Sequence, residues 1–152
     1  MILNKKIDDF TLPNELGEEI SLSNFLGNKV VIYFYPKDFT PGCVQQACSF
    51  RNLDKEYKEL DTIVIGISKD TVASHKKFKE KFNLPFILLS DPERKILKKF
   101  NVIVEKKMFG KSVLGTSRDT YILNEKHELV KIYKKVDPKD NANEILEFLK
   151  TI

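Results

Sequence analysis

Two cysteines, five positions apart, stand in the stretch Pro36-Lys37-Asp38-Phe39-Thr40-Pro41-Gly42-Cys43-Val44-Gln45-Gln46-Ala47-Cys48, and they are the only cysteines in the chain. A cysteine attacks as its thiolate, so the question is what would favour S⁻ here. The stretch follows Val30-Val31-Ile32-Tyr33-Phe34-Tyr35, an apolar run that reads as a strand buried on both faces. Thr40 suits a helix N-cap, and Pro41 suits the first helical position, where its missing N–H costs nothing. Cys43 then falls in the first turn of a helix, at the carboxyl end of a central strand, where open α/β sheets bind ligands. First-turn N–H groups have no intrahelical partner, and the helix dipole is positive there. Both bring a thiol pKa down from about 8.5 towards neutral. Cys48 lies about 140° further round the helix, on its polar side.

The residues Pro36, Thr40 and Cys43 form Pro-x-x-x-Thr-x-x-Cys, which resembles the active-site signature of the peroxiredoxins. Thr-Pro-Gly-Cys with a second cysteine five positions on is similar to the bacterioferritin comigratory protein branch, also called peroxiredoxin Q. The resemblance runs from Phe10-Thr11-Leu12-Pro13 to the last helix. Many members of the branch carry Glu where this chain has Gln46. The resemblance implies a thioredoxin-like α/β fold, with a central mixed β-sheet flanked by helices and an N-terminal β-hairpin. It also implies a thiol peroxidase in which Cys43 attacks hydrogen peroxide or an organic hydroperoxide. The resulting sulfenic acid condenses with Cys48 as resolving thiol, and thioredoxin or glutaredoxin reopens the disulfide. No metal, haem or flavin cofactor is implied. Pro36 shapes and dries the pocket, and Thr40 donates to the developing charge.

Arg118 completes the candidate set. It is one of three arginines, with Arg51 and Arg94, among 26 basic residues. It stands just before an apolar strand, where the resembled family has its active-site arginine. A guanidinium there can stabilise a thiolate and donate to a peroxide oxygen.

Other chemistries fit less well. A thioredoxin-like disulfide oxidoreductase without peroxidase activity uses Cys-x-x-Cys; here four residues intervene, and Thr40 and Arg118 have no task. A zinc site could draw on Cys43, Cys48, His75 and His127, but the histidines lack the usual close spacing. His75 reads as a surface or edge residue of its helix, and His127 as a turn residue. A redox-regulated binding protein has no positive feature in its favour.

The elements that hold these residues follow from periodicity. Ile7, Phe10 and Leu12 form an apolar patch leading through an Asn14–Gly17 turn to Ile20-Ser21-Leu22, a short hairpin. Residues 23–27 suit one helical turn. A helix from about Thr40 to Leu60 places Cys43, Ala47, Phe50, Leu53, Tyr57 and Leu60 on one side. Thr62–Ile67 reads as a buried strand. Ser68-Lys69-Asp70 offers caps for a helix through Phe82, with Val72, Phe78 and Phe82 inward. Phe86–Leu89 is a strand, and Asp91-Pro92-Glu93 opens a helix to Phe100. Residues 101–119 show no clear period; an irregular stretch that long is usually functional or partly structured. Tyr121–Leu123 and Leu129–Tyr133 read as a hairpin. Asp140 caps a last helix with Ile145, Leu146, Leu149 and Ile152 inward.

Composition sets the outer bounds. A chain of 152 residues suits one domain, 1–152, with a sizeable core. Net charge is +4, and the densest lysine run, His75–Lys81, contains Glu80 and has helical spacing. It reads as a solvated helix face rather than a nucleic-acid patch. No apolar run approaches a membrane span, and residues 1–6 lack the apolar core of a signal peptide. The protein is expected to be cytoplasmic, where a cysteine pair is catalytic or redox-sensing more often than structural. It is expected to be a monomer or weak homodimer, since an intrachain resolving cysteine removes one reason to dimerise.

Overall fold

A computed structural model describes residues 1–152. Strands β1 (Thr11–Pro13) and β2 (Glu19–Ser21) form the expected antiparallel hairpin. Asn14 closes its turn by accepting from the Leu16 and Glu18 N–H groups, and Gly17 takes a φ of 78° that suits glycine. A 3-10 turn, Leu22–Phe25, leads to β3 (Lys29–Phe34). Then come α1 (Pro41–Asn52), α2 (Asp54–Glu59), β4 (Thr62–Ser68), α3 (Val72–Phe82), β5 (Ile87–Ser90) and α4 (Lys95–Lys99). The chain finishes with β6 (Ile103–Met108), β7 (Lys111–Thr116), β8 (Thr120–Leu123), β9 (Leu129–Tyr133) and α5 (Asn141–Leu149).

The central sheet has the order β5-β4-β3-β8-β9. β3, β4 and β5 run parallel, while β8 and β9 are antiparallel to their neighbours, so the sheet is mixed as expected. β3 is the middle strand and sorts its side chains strictly by alternation. Val31, Tyr33 and Tyr35 enter one core with Cys43, Ala47, Phe50, Phe78 and Ile145. Val30, Ile32 and Phe34 enter the other with Phe10, Leu97, Phe100 and Tyr121. The helix that carries both cysteines therefore packs on the sheet at the strand it follows.

Several expectations need correcting. The helix from Thr40 to Leu60 is two helices, broken at Leu53 (φ −107°, ψ 11°). The break leaves the Tyr57 ring against Phe50, with centroids 5.7 Å apart, and its hydroxyl donating to the Ala142 carbonyl at 2.6 Å. A straight helix has the same apolar side, so periodicity carries no sign of the break. Thr71, not Ser68 or Asp70, caps α3, accepting from Ser74 N–H. α4 begins only at Lys95, yet Asp91 still serves its start, because its carboxylate accepts from the N–H groups of Lys95, Ile96 and Leu97. Asp140 stands at the cap position of α5 without a side-chain bond, and the Asp137 carbonyl accepts from Asn141 N–H instead. Ile152 lies beyond the end of α5 and is exposed. Residues 103–116 form a two-stranded hairpin outside the main sheet. Its strands expose Lys106, Lys107, Val113 and Leu114 alike, which erases the period of two.

Candidate active site

Thr40 is extended (φ −75°, ψ 148°), and Pro41 holds the first helical position, so α1 starts where the sequence implies. The Thr40 side chain does not cap it. The hydroxyl donates to the Lys37 carbonyl at 2.8 Å, inside the loop. That commits its one proton, so the expected donation from Thr40 to developing charge is not made in this arrangement and its oxygen is left to accept. Cys43 sits in the first turn and is 1% exposed; Cys48 is half-buried, and both are free thiols.

Arg118 reaches Cys43 from 75 residues away. Its Nη1 lies 3.5 Å from Cys43 Sγ and donates to Gln46 Oε1 at 2.9 Å. Gln46 was legible only as a departure from the resembled branch, but it is fully buried. Its Nε2 donates to Asn141 Oδ1 at 3.1 Å, and Thr120 Oγ1 donates to the same oxygen at 3.0 Å. α1, β8 and α5 thus meet in one chain of hydrogen bonds ending at the thiol. A polar residue three positions after Cys43, hence on the same helix face, was the available signal.

The charge at Arg118 is not neutralised by an ion pair. The adjacent Asp119 is turned elsewhere, accepting from Ser117 Oγ at 2.6 Å and Lys135 N–H at 2.9 Å. Gln46, a neutral acceptor, orients the guanidinium without cancelling it. Gly42 makes room for it. A Cβ at that position would lie 3.0 Å from Arg118 Nη2, which is tighter than an ordinary contact. Arg118 and the half-buried Pro36 also line an open depression of about 470 Å³, together with Val104, Thr116 and Val136.

The Tyr33 ring stacks 4.7 Å from Phe50 and 5.4 Å from Tyr35. Burial pushes its phenol well above the usual range, and the Cys43 and Asp38 charges push the same way. It stays protonated.

His75 and His127 do not join the cysteines in a cluster. His75 is buried, not at a surface or edge, and its ring meets Asp38 and the Leu89 carbonyl. His127 is a turn residue (φ 61°), also buried, with Nε2 at 3.1 Å from the Phe25 carbonyl. The four-ligand zinc arrangement is therefore not assembled.

The chain is similar to known proteins over most of its length. Residues 3–132 match the model of the AhpC/TSA family. The chain is 44% identical over 148 residues to the protein named peroxiredoxin Bcp of Bacillus subtilis, covering 97% of this chain and 94% of that one. The bacterioferritin comigratory protein of Xanthomonas campestris, whose structures were described in connection with alkyl peroxide reduction, superposes with a TM-score of 0.89 at 36% identity. That match covers 93% of this chain and 90% of the other. A PrxQ variant from Xylella fastidiosa superposes with a TM-score of 0.93 at 31% identity, over 99% of this chain and 96% of the other.

Proposed function

The chain belongs to the AhpC/TSA family, among its peroxiredoxins, and is a thiol-dependent peroxidase; from that premise we propose that Cys43 is the peroxidatic residue and Cys48 the resolving one. The observation that carries this is the 3.5 Å approach of an unneutralised guanidinium to the Cys43 sulfur. The whole chain, 1–152, acts as one catalytic domain. No helix is long and apolar enough to cross a membrane. The cytoplasmic location we propose rests instead on the cysteine pair, which in that compartment is redox-active more often than structural.

The Cys43 thiolate attacks the terminal oxygen of the hydroperoxide. An S–O bond forms, the O–O bond breaks, and sulfur loses two electrons. The leaving oxygen takes a proton and departs as water or an alcohol. Arg118, already 3.5 Å from the sulfur, and the first-turn N–H groups supply the donors for the charge that develops. Thr40, its proton committed to Lys37, accepts from the hydroperoxide O–H. Pro36 walls the approach. The Cys43 sulfenic acid then condenses with the Cys48 thiol, releasing water and forming a disulfide. A dithiol protein, thioredoxin before glutaredoxin, reduces it. Resolution within one chain needs no second copy.

The test is peroxide-dependent NADPH oxidation with thioredoxin and thioredoxin reductase, set against glutaredoxin with glutathione. Turnover is expected with the first system. Retained insulin reduction with no peroxide consumed would point to the disulfide oxidoreductase instead. A Gly42→Ala variant is expected to push the guanidinium away from the sulfur and slow Cys43 oxidation about tenfold. Its thermal midpoint should hold, because the crowded neighbour is the end of a flexible side chain. Stopped-flow oxidation beside a thermal melt checks both.

Turnover also requires α1 to open. Helix positions five apart rise about 7.5 Å and diverge by about 140°, beyond the roughly 7 Å Cα limit for a disulfide. The bonds to be lost include Gln46 to Asn141 and Ser49 Oγ to the Lys139 carbonyl. α2 lies past the break at Leu53 and is tied down by Tyr57. Fast hydrogen exchange is therefore expected over residues 45–53 in the oxidised protein, with α2 and β3 still protected. Equal protection of α1 in both redox forms, with the intrachain disulfide confirmed by mass, would contradict this.

A further inference from the structure

At the loop that precedes Cys43 lies a buried polar cluster that the reaction above leaves without a task. Asp38 is 3% exposed and His75 is fully buried. Asp38 Oδ1 accepts from the Tyr35 hydroxyl at 2.7 Å, and Oδ2 accepts from Ser74 Oγ at 2.8 Å. His75 Nδ1 lies 2.7 Å from Oδ2, and His75 Nε2 lies 3.0 Å from the Leu89 carbonyl oxygen. The Asp38 N–H donates to Asp70 Oδ2 at 2.9 Å, which also accepts from Ser68 Oγ at 2.6 Å. The cluster thus joins the loop after β3 to the end of β4, to α3 and to β5. These oxygens and ring nitrogens already meet hydrogen-bond partners, so the cluster is arranged for protons rather than for a metal ion.

The partners fix the protonation of the ring. A carbonyl oxygen can only accept, so Nε2 carries a proton. Both oxygens of the Asp38 carboxylate already accept from hydroxyls, Oδ1 from Tyr35 and Oδ2 from Ser74. Nδ1 facing it therefore carries a proton as well. A ring with both nitrogens protonated is an imidazolium. A neutral ring would leave the carbonyl or the buried carboxylate facing a lone pair.

Resting on the assignment of Cys43 as the attacking thiol, we propose that His75 is a positioning residue of the peroxidase reaction: as a buried imidazolium it pins Asp38, and so the Pro36–Thr40 loop that delivers Cys43. The loop needs pinning. Phe39, between Asp38 and Thr40, has a φ of 67°, the left-handed region that a bulky residue seldom adopts. Its ring packs 5.2 Å from Phe78 and 6.3 Å from Phe82, both on the helix that carries His75. α3 is thus the mould of the loop, with the charge pair at one end and the aromatic contacts at the other. Released at Asp38, Phe39 relaxes and the first turn of α1 moves with it. A shift of about 1 Å in the attacking atom can cost a hundredfold in rate.

Two measurements test this. In the ¹⁵N-labelled, reduced protein at neutral pH, both ring nitrogens of His75 should show the shifts of a protonated imidazolium. The chain has two histidines, so His127→Gln assigns the signals. A His75 ring with one bare nitrogen overturns the charge assignment. Second, His75→Gln should slow Cys43 oxidation by hydrogen peroxide about tenfold or more, while reduction of the preformed Cys43–Cys48 disulfide by thioredoxin keeps its rate. A role in the fold alone predicts a lowered thermal midpoint with unchanged oxidation of the folded fraction, and that result overturns the proposal. Should His75→Gln not fold, Tyr35→Phe removes one donor from the same carboxylate without opening a cavity. It must slow oxidation severalfold or the proposal falls. Normal peroxide consumption by Cys43→Ser would instead fault the assignment of Cys43 and leave the charge state of His75 standing.

Discussion

Cys43→Ser is expected to consume no hydroperoxide, and Cys48→Ser to consume one equivalent and stop. The first follows from the chemistry of the atom. A serine hydroxyl is not ionised near neutral pH and has no oxidation state that could take the peroxide oxygen. The second follows from the order of events, since the attack precedes any need for Cys48. Cys48→Ser should hold a sulfenic acid at Cys43 that dimedone traps and mass spectrometry locates. The two cysteines are not equivalent in the structure. Cys43 is buried in the helix's first turn with Arg118 at 3.5 Å, whereas Cys48 is half-buried and has no such donor. A first turnover lost from the Cys48 variant and kept by the Cys43 variant would reverse the roles. Both variants should stay folded, since serine is close to cysteine in volume and neither thiol is bonded to the other.

What could be read from the sequence here was local. The run before Pro36 reads as a strand because its apolar residues are contiguous, and Thr40-Pro41 marks a helix start within two residues. The structure agrees on both. Arg118 was legible only through the resemblance to a family. Nothing in a periodic pattern links residues 75 positions apart, and the contact is made by the pairing of β3 with β8. Periodicity also sorts residues into apolar and polar faces, so it places polar side chains outside. Gln46, Asp38 and His75 defeat it, because each is a polar group whose partners come from other elements. The break at Leu53 was invisible for a related reason: Phe50 and Tyr57 share one helical side whether or not the helix is straight. The β6–β7 hairpin escaped because it stands away from the core and has no buried face to set a pattern.

Arg118→Lys separates charge from geometry at the site. Lysine keeps the positive charge but replaces a planar fork with a single flexible ammonium. The fork has two tasks here. Nη1 serves Cys43 Sγ and Gln46 Oε1 together, while Nη2 fits into the space that Gly42 leaves open. An ammonium drawn to Gln46 has no second arm to aim at the sulfur. Loss of a donor directed at developing charge costs about 10²–10³-fold in rate, and a fall of that order is expected in Cys43 oxidation measured by stopped flow. Stability should change little, because no carboxylate pairs with Arg118 and none is left unpaired when it goes. Asp119 keeps its own donors in Ser117 and Lys135. Gln46→Ala should give a smaller fall, since the guanidinium remains and only its tether is lost. That ranking follows from the order of contacts, with the arginine touching the thiol and the glutamine touching the arginine. A near-normal oxidation rate for Arg118→Lys would mean that charge alone suffices and that the fork has no part in the chemical step.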